Sequence, residues 1–333
     1  MTVQRNHISR VRREIFWIDD LQNRLTQQNP LAAKLKRTIE HLSAGLYSKD
    51  VHFIFELIQN AEDNHYAAEV DPTLSFQLIA DDPTGSPGAD GALIIENNEI
   101  GFQPDNIEAI CDVGHSTKTK QEGYIGEKGI GFKSVFQVTA DPHLFSNGYR
   151  IRLPEAEPLT GLGYIVPVWV ERPPSGIKPQ GTTIILPLKP GRYRELSRAL
   201  REIAPETILF LRKLKSLTIQ IDDSYTSTVI KDDSSGPLVR LLCEIIGGGN
   251  AERSLGSEFW VKTLNRERPA EISAAKRENI LDRDVTVALP LSDNAALRGD
   301  VYAYLPVLTG SGLPFLVNAD FLLTSFERGD KGG

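Results

Sequence analysis

The segment FELIQNAEDN carries three polar side chains at helical spacing. On a helix that turns about 100° per residue, Glu56, Asn60 and Asp63 fall within roughly 60° of one another. The opposite face is apolar and consists of Ile54, Leu57, Ile58 and Ala61. A carboxylate can orient a water molecule, and an amide oxygen one turn later suits a hard cation. The pattern predicts an amphipathic helix with chemistry on its polar side, against the plainer alternative of a solvated face.

The stretch GYIGEKGIGFKSVF over residues 123–136 combines glycines with lysines. It misses the P-loop pattern because Phe132 separates the last glycine from the lysine, and it lacks the third glycine of a dinucleotide-binding turn. Glycine-rich main chain leading into a helix still offers N–H groups and a positive dipole end to an anion. The stretch therefore indicates phosphate binding, with an ordinary glycine turn as the alternative.

Two further segments each place a strand beside a glycine. ALIIENNEIGF predicts a strand that enters a polar turn at Gly101, and QGTTIILPL predicts a strand introduced by Gly181 and Thr182. Neither segment is informative alone. The order and separation of all four segments are much more specific.

Taken together, the four segments resemble the ATP-site motifs of the GHKL ATPases, a group that contains the ninety-kilodalton heat-shock chaperone, type II topoisomerases, MutL and sensor histidine kinases. ELIQNAEDN, ENNEIGF, GYIGEKGIGFKSVF and LPFLVNADFLLTS look most like the NO VEIN and sacsin-type branch. The resemblance covers roughly residues 40–326. It implies an α+β, Bergerat-type fold, in which helices cover a mixed or antiparallel sheet in a two-layer sandwich.

The resemblance also implies a role for each matching residue. Glu56 would be the general base that activates water, and Asn60 would hold Mg²⁺ on the phosphates of ATP. Asn97 would read the base, with Thr182 in support, and residues 112–125 would form a lid. The rest of the expected nucleotide site is Asp63, Gly101, Lys118, Gly126, Lys128, Gly129, Gly131, Phe132 and Lys133.

Two positions depart from the family pattern. Asn97 and Glu99 replace the aspartate and first glycine of the base-reading motif, and an amide can accept from adenine or donate to guanine. We therefore expect weaker base selectivity than an aspartate gives. The γ-phosphate-sensing arginine has only Arg328 as a displaced counterpart, so the chain resembles a module or truncated product.

The expected activity is Mg²⁺-dependent ATP binding with slow hydrolysis that drives lid closure and interdomain rearrangement. The alternative is a nucleotide-binding scaffold without turnover. A sensor kinase is disfavoured because no phosphoacceptor-histidine helix is evident. Protein clients, chaperone-like action and self-association through the second domain follow only from the resemblance.

Composition and charge narrow the functional classes and cellular locations that remain. The formal charge of −7 disfavours nucleic-acid binding, and the six histidines show no zinc-ligand spacing. Two distant cysteines, Cys111 and Cys243, fit a reducing intracellular compartment, cytoplasmic or nuclear. No apolar run is long enough to suggest a membrane span.

The expected organisation has three parts: an N-terminal helical segment over 1–48, an ATP-binding domain over 49–222 and a partial second α/β domain over 237–333. Apolar spacing predicts helices over 16–48, 50–70 and 192–214. Strands are predicted at 74–80, 92–97, 149–154, 164–171, 181–188, 217–222, 259–264, 285–291 and 301–307.

Overall fold

A computed structural model describes residues 2–27, 52–112, 131–247, 253–267, 282–291, 299–319 and 321. The chain divides into two compact units. The first comprises Met1–Glu202 with Thr218–Thr226, and the second comprises Ile203–Leu217 with Ser227–Gly333. The mixed α/β class predicted from the sequence is confirmed. Among the described helices, none has the length and hydropathy of a membrane span.

The first unit contains the predicted site. Its helices are α1 (Val3–Glu14), α2 (His52–Asp63), α3 (Pro104–Ile110) and α4 (Arg192–Arg201), with a 3₁₀ helix over Gly131–Gln137. Its strands are β1 (Ile18–Asp19), β2 (Arg24–Leu25), β3 (Thr73–Ile79), β4 (Ala92–Asn97), β5 (His143–Ser146), β6 (Tyr149–Arg152), β7 (Val168–Trp169), β8 (Thr182–Pro187) and most of β9 (Ser216–Ile221). The sheet order is β9-β3-β4-β8-β5-β6-β7, and the ladders from β3 to β7 are antiparallel.

Hydrophobic alternation explains the central strands of this sheet. In β3, Leu74, Phe76 and Leu78 are buried while the residues between them are more exposed, which is the period of a strand with one face on the core. All six residues of β8 are buried, as expected for a strand covered on both faces. The register of β4 against β8 pairs Asn97 with Thr182, so two predicted site residues meet at one end of the sheet.

The second unit consists mainly of strands. These are most of β10 (Tyr225–Ser235), β11 (Leu238–Gly247), β12 (Arg253–Glu267), β13 (Asp282–Pro290), β14 (Asp300–Ala303), β15 (Leu305–Gly310) and β16 (Leu316–Ala319), with a 3₁₀ helix over Pro205–Ile208. Their order is β10-β11-β12-β13-β16-β14-β15, and β14 runs parallel to β16. An α/β architecture was expected here, but the described part of this unit contains no α-helix.

Several predicted elements were wrong in place or length. The helix expected from residue 16 is absent over 16–27, where β1 and β2 form a hairpin and Trp17 and Asn23 have positive φ. The helix lies earlier, at α1, and residues 28–48 lie outside the described residues. The helix predicted over 192–214 ends at Arg201. A 3₁₀ helix follows from Pro205, because proline has no N–H to donate to the preceding turn of an α-helix.

The segment over 222–237, where the sequence predicts a domain boundary, includes the division between the two units at Thr226 and Ser227. It contains β10 and a turn at Gly236 into β11. Buried and more exposed residues alternate along part of β10, as expected for a strand. The polar composition of the segment makes this alternation difficult to recognise in the sequence. The long strand predicted at 164–171 is reduced to β7.

Truncation of the core of β3 should destabilise the first unit. Phe76 is fully buried, so Phe76→Ala is expected to lower the free energy of unfolding by about 3–5 kcal/mol. Gln77→Ala, one residue along on the more exposed side, should cost less than about 1 kcal/mol. Equal losses for the two variants in urea unfolding would show that the strand alternation is misassigned.

Candidate functional site

Helix α2 is amphipathic, and its three predicted polar residues differ in exposure. Ile54, Leu57, Ile58 and Ala61 are buried, which anchors the helix on the core of the first unit. Glu56 and Asn60, one turn apart, are half-buried on the other side. Asp63 is 4% exposed, so it does not lie on a solvated face. This helix therefore holds a carboxylate and an amide at a partly shielded surface.

The end of the glycine-rich stretch lies directly on this helix. Gly131 begins the 3₁₀ helix, which packs against α2. A Cβ atom built on Gly131 would lie 2.3 Å from Glu56 Oε2, so the carboxylate occupies the space that any side chain at this position would need. The fold thus brings the predicted general base onto the main chain of the predicted phosphate-binding stretch.

Lys118, Gly126, Lys128, Gly129 and most of the expected lid at 112–125 lie outside the described residues, as does Arg328.

Lys133 has contacts that differ from the expectation of an ammonium beside phosphate groups. Its Nζ donates to the main-chain oxygens of Ile110 at 2.5 Å and Tyr164 at 2.7 Å, and the residue is 6% exposed. Burial lowers the pKa of Lys133 to about 8. The carbonyls explain the geometry, because a buried ammonium needs acceptors and these two are within its reach. Lys133 therefore ties the last turn of α3 to the loop at Tyr164.

Two neighbours of Lys133 complete this part of the unit. Cys111 is 4% exposed, and burial raises the pKa of its thiol to about 12. Phe132 is half-buried, with its ring centroid 6.0 Å from Lys133 Nζ.

Asn97, at the end of β4, is held by three hydrogen bonds and is 8% exposed. Its Nδ2 donates to the Tyr66 hydroxyl and to the Thr73 carbonyl, both at 2.8 Å. Its Oδ1 accepts from Asn64 Nδ2 at 2.9 Å. A carbonyl can only accept, so the Thr73 oxygen fixes which end of the amide carries the hydrogens. Both amide hydrogens are therefore used within the fold, while Oδ1 retains a second lone pair.

The expected support of Asn97 by Thr182 does not form. The Thr182 hydroxyl donates to Glu99 Oε1, because the Asn97 side chain is already bound to Tyr66 and Thr73. Glu99 is 7% exposed, and burial raises the pKa of its carboxyl although hydrogen bonds from Thr182 and the Gly101 N–H act against this. A buried carboxyl thus lies next to Thr182, the ladder partner of Asn97, at the end of the sheet.

The two glycines of this region are required by its geometry. Gly101 has φ of +90°, and a Cβ on it would lie 2.8 Å from Asn147 Cβ. Gly181 has φ of +80°, and its Cβ would lie 2.4 Å from the Asn97 main-chain oxygen. Both turns need a residue without a side chain, which explains why glycine precedes Thr182 and follows Glu99.

Several residues of this network were missed by sequence analysis as site residues. The place of Glu99 two residues after Asn97 in the base-reading motif was a usable signal, although Glu99 lies beyond the end of β4. Tyr66 and Asn64 follow α2 without a pattern that points to Asn97. Ser146 ends β5, which the sequence did not predict. In the described ranges, no three His, Cys, Asp or Glu side chains are grouped to hold a metal ion.

Comparison with known proteins supports the resemblance. A family model described as "Sacsin domain" matches residues 28–156, which include the α2, Asn97 and glycine-rich segments. Protein NO VEIN of Arabidopsis thaliana is 34% identical over 345 residues, covering 96% of this chain. The chain is a homologue of NO VEIN. The chain spans 12% of the length of NO VEIN, and the predicted likeness to the sacsin and NO VEIN branch is confirmed.

Two similar solved structures are of the ATPase region of Saccharomyces cerevisiae topoisomerase II, one of them bound to ICRF-187 (dexrazoxane). Each overlaps 58% of this chain and 57% of its own chain at 9% identity, with TM-scores of 0.33 and 0.34.

The buried Glu99 carboxyl predicts a pH-dependent stability difference. Its pKa is raised in the folded state, so the native protein holds this proton more tightly than the unfolded chain. The favourable contribution is complete below the unfolded pKa and is lost as pH rises through the folded pKa. Glu99→Gln, which stays neutral, should gain stability relative to wild type from pH 4.5 to pH 7.5.

Urea unfolding at several pH values measures this difference. Glu96→Gln is the matched control, because Glu96 lies on β4 and pairs with the exposed Lys178 at 2.6 Å. A stability difference between wild type and Glu99→Gln that stays constant with pH would contradict the assignment.

Proposed function

We propose that this chain binds ATP together with Mg²⁺ and hydrolyses it slowly. The observation that carries the proposal is the approach of the Glu56 carboxylate to the main chain of Gly131. Phosphoryl transfer depends mainly on positioning and on neutralising charge, so a base held against a glycine-rich main chain is suited to it. The sacsin-domain match and the likeness to NO VEIN support the same reading.

The residues present fit a magnesium nucleotide. Mg²⁺ is usually bound by one or two protein oxygens together with substrate phosphates, and the amide of Asn60 lies one turn from Glu56 on a half-buried face. When bound, the ion would neutralise charge on the phosphates. Glu56 would accept a proton from the attacking water, and Asp63 would line the pocket.

The base would be read at Asn97. Its Oδ1 has a lone pair for an amino group such as that of adenine, whereas its Nδ2 hydrogens are both bound within the fold. The donation to a guanine carbonyl that the sequence left open is therefore disfavoured. This geometry supports adenine over guanine, contrary to the weaker selectivity expected from the amide alone.

A nucleotide-binding scaffold without turnover is the second candidate. It is favoured by Lys133, whose ammonium is bound to two main-chain carbonyls. Closure of a lid over 112–125 and rearrangement of the second domain remain predictions, because residues 113–130 lie outside the described residues.

Glu56→Ala distinguishes the two candidates. If Glu56 is the base, the variant should bind ATP with Mg²⁺ as wild type does but release phosphate about 10²–10⁴-fold more slowly. Calorimetry measures binding, and a phosphate-release assay measures turnover. Glu195→Ala, which removes a half-exposed carboxylate from α4, should leave both unchanged.

Equal and slow phosphate release by wild type and Glu56→Ala, with intact binding, would favour the scaffold. Absence of ATP binding in all three proteins would overturn the proposed function.

Base preference gives an independent prediction. Wild type should bind ATP at least about tenfold more tightly than GTP, since the lone pair of Asn97 Oδ1 would repel the guanine carbonyl. Asn97→Ala should weaken ATP binding by about tenfold. The matched control is Asn98→Ala, because Asn98 also bonds the loop, to Thr73 N and Asp71 O, but is exposed. Comparable affinities of wild type for ATP and GTP would contradict this assignment.

A further inference from the structure

Lys133 is a buried lysine to which the proposed mechanism gives no task. It is the third residue of the 3₁₀ helix over Gly131–Gln137 and is 6% exposed. Its Nζ donates to the main-chain oxygens of Ile110 at 2.5 Å and Tyr164 at 2.7 Å. An ammonium has three hydrogens, so these two bonds use most of its capacity to donate. The ammonium group is therefore held by the main chain of two separate segments of the first unit.

Both acceptors of Lys133 belong to segments that are themselves fixed by hydrogen bonds or packing. Ile110 is the last residue of α3. The Tyr164 N–H donates to the Pro154 oxygen at 2.9 Å, and the Tyr164 hydroxyl donates to Glu155 Oε1 at 2.9 Å. Close packing continues at Gly163, where a Cβ would lie 1.7 Å from the Glu155 main-chain oxygen. A side chain bonded to both carbonyls is consequently held in one place.

The segment that Lys133 holds is the one that meets the predicted general base. Gly131 lies two residues before Lys133 and begins the 3₁₀ helix, which packs against α2. A Cβ on Gly131 would lie 2.3 Å from Glu56 Oε2. The Ser134 hydroxyl donates to the Gly131 oxygen at 2.5 Å, which closes the first turn of the helix on itself. The place of the Gly131 main chain beside Glu56 thus depends on where Lys133 holds this turn.

The other end of the same 3₁₀ helix has its own anchors. The Phe136 main-chain oxygen accepts from Lys189 Nζ at 2.8 Å, and the Phe136 ring packs edge-on against the Tyr164 ring with centroids 4.6 Å apart. Lys189 also pairs with Glu155 at 2.9 Å and is more exposed than Lys133. Lys133 is therefore the buried cation that anchors the end of the helix nearer to Glu56.

A contact between Lys133 and a phosphate group would break these bonds. The bond to the Tyr164 carbonyl is buried, and a buried carbonyl that loses its donor is destabilising. The ammonium would also have to leave the two segments that it joins. The geometry favours a lysine that stays on the main chain when a nucleotide binds.

We propose that Lys133 is a positioning residue of this site, which acts by fixing the Gly131 main chain against Glu56 and does not contact the phosphates. The inference rests on the proposed ATP hydrolysis. A base and a reacting water must be held closely, and the rate of a reaction is more sensitive to such a displacement than the affinity for the nucleotide is. Loss of Lys133 therefore reduces turnover more than binding.

The experiment compares the intact wild-type chain with Lys133→Met, an unbranched side chain that cannot donate to the two carbonyls. Calorimetry measures the affinities for adenosine and for ATP with Mg²⁺, and the number of ATP molecules bound per chain. A phosphate-release assay measures turnover. Turnover per bound ATP should fall by about 10- to 100-fold, the effect of a displacement near 1 Å. The ratio of ATP affinity to adenosine affinity should stay within about threefold of wild type, because no phosphate contact is lost.

Three further measurements separate positioning from a general loss of structure. Lys178→Met is the matched control, because it removes an exposed ammonium that pairs with Glu96 at 2.6 Å, and it should behave as wild type. Lys133→Arg keeps donors for the carbonyls and should restore part of the turnover. Thermal melts and an unchanged number of bound ATP molecules establish that each variant is folded. If Lys133→Met is unfolded, Lys133→Gln replaces it and should show the same fall in turnover.

The outcomes distinguish this inference from the function beneath it. A loss of ATP affinity of tenfold or more, with adenosine affinity unchanged, would show that the ammonium contacts the phosphates and would overturn the inference. Wild-type turnover in the folded Lys133 variant would also overturn it, and either result leaves the proposed ATPase intact. Absence of ATP binding or of phosphate release in wild type overturns the proposed hydrolysis and this inference together.

Discussion

The apolar face of α2 is the constraint on which the candidate site depends. Its four buried residues, Ile54, Leu57, Ile58 and Ala61, can leave water only if the helix lies in one rotational setting on the core. Full burial of each larger side chain contributes about 1.5–3 kcal/mol to the stability of the fold, so a rotation of the helix that exposed these side chains would be strongly destabilising. That setting turns Glu56 and Asn60 to a partly shielded surface, where the 3₁₀ helix meets them at Gly131.

The opposite end of the site is organised by polar groups under a different constraint. Buried amides, hydroxyls and carboxyls must find partners, because each one left without a hydrogen bond costs about 1–3 kcal/mol. The β4–β8 register pairs Asn97 with Thr182, and the Thr182 hydroxyl donates to Glu99. Further bonds to Tyr66, Thr73 and Ser146 meet this demand. The same hydrogen bonds determine what these side chains can offer to a ligand, because they leave the Asn97 side chain as a hydrogen-bond acceptor and keep Glu99 away from solvent.

Much of the local structure could be predicted from period and composition. Residues that are close along the chain determine the apolar positions of α2, the alternation of β3 and the strand at β4. Elements with weaker patterns were missed or misplaced: α1 buries only part of one face, β10 is polar, and the hairpin over 18–25 depends on positive φ at Asn23. In these cases tertiary packing overrides the local preference of the sequence.

The sequence by itself determined the likeness to the sacsin and NO VEIN branch, the mixed α/β class and the helix that bears Glu56 and Asn60. Only the tertiary structure decided that Lys133 binds main-chain carbonyls and that Thr182 binds Glu99 instead of Asn97. The physical reason is the range of the interactions. Helical and strand periodicity acts over a few residues, whereas the partner of a buried polar group is chosen among all groups that folding brings within about 3 Å.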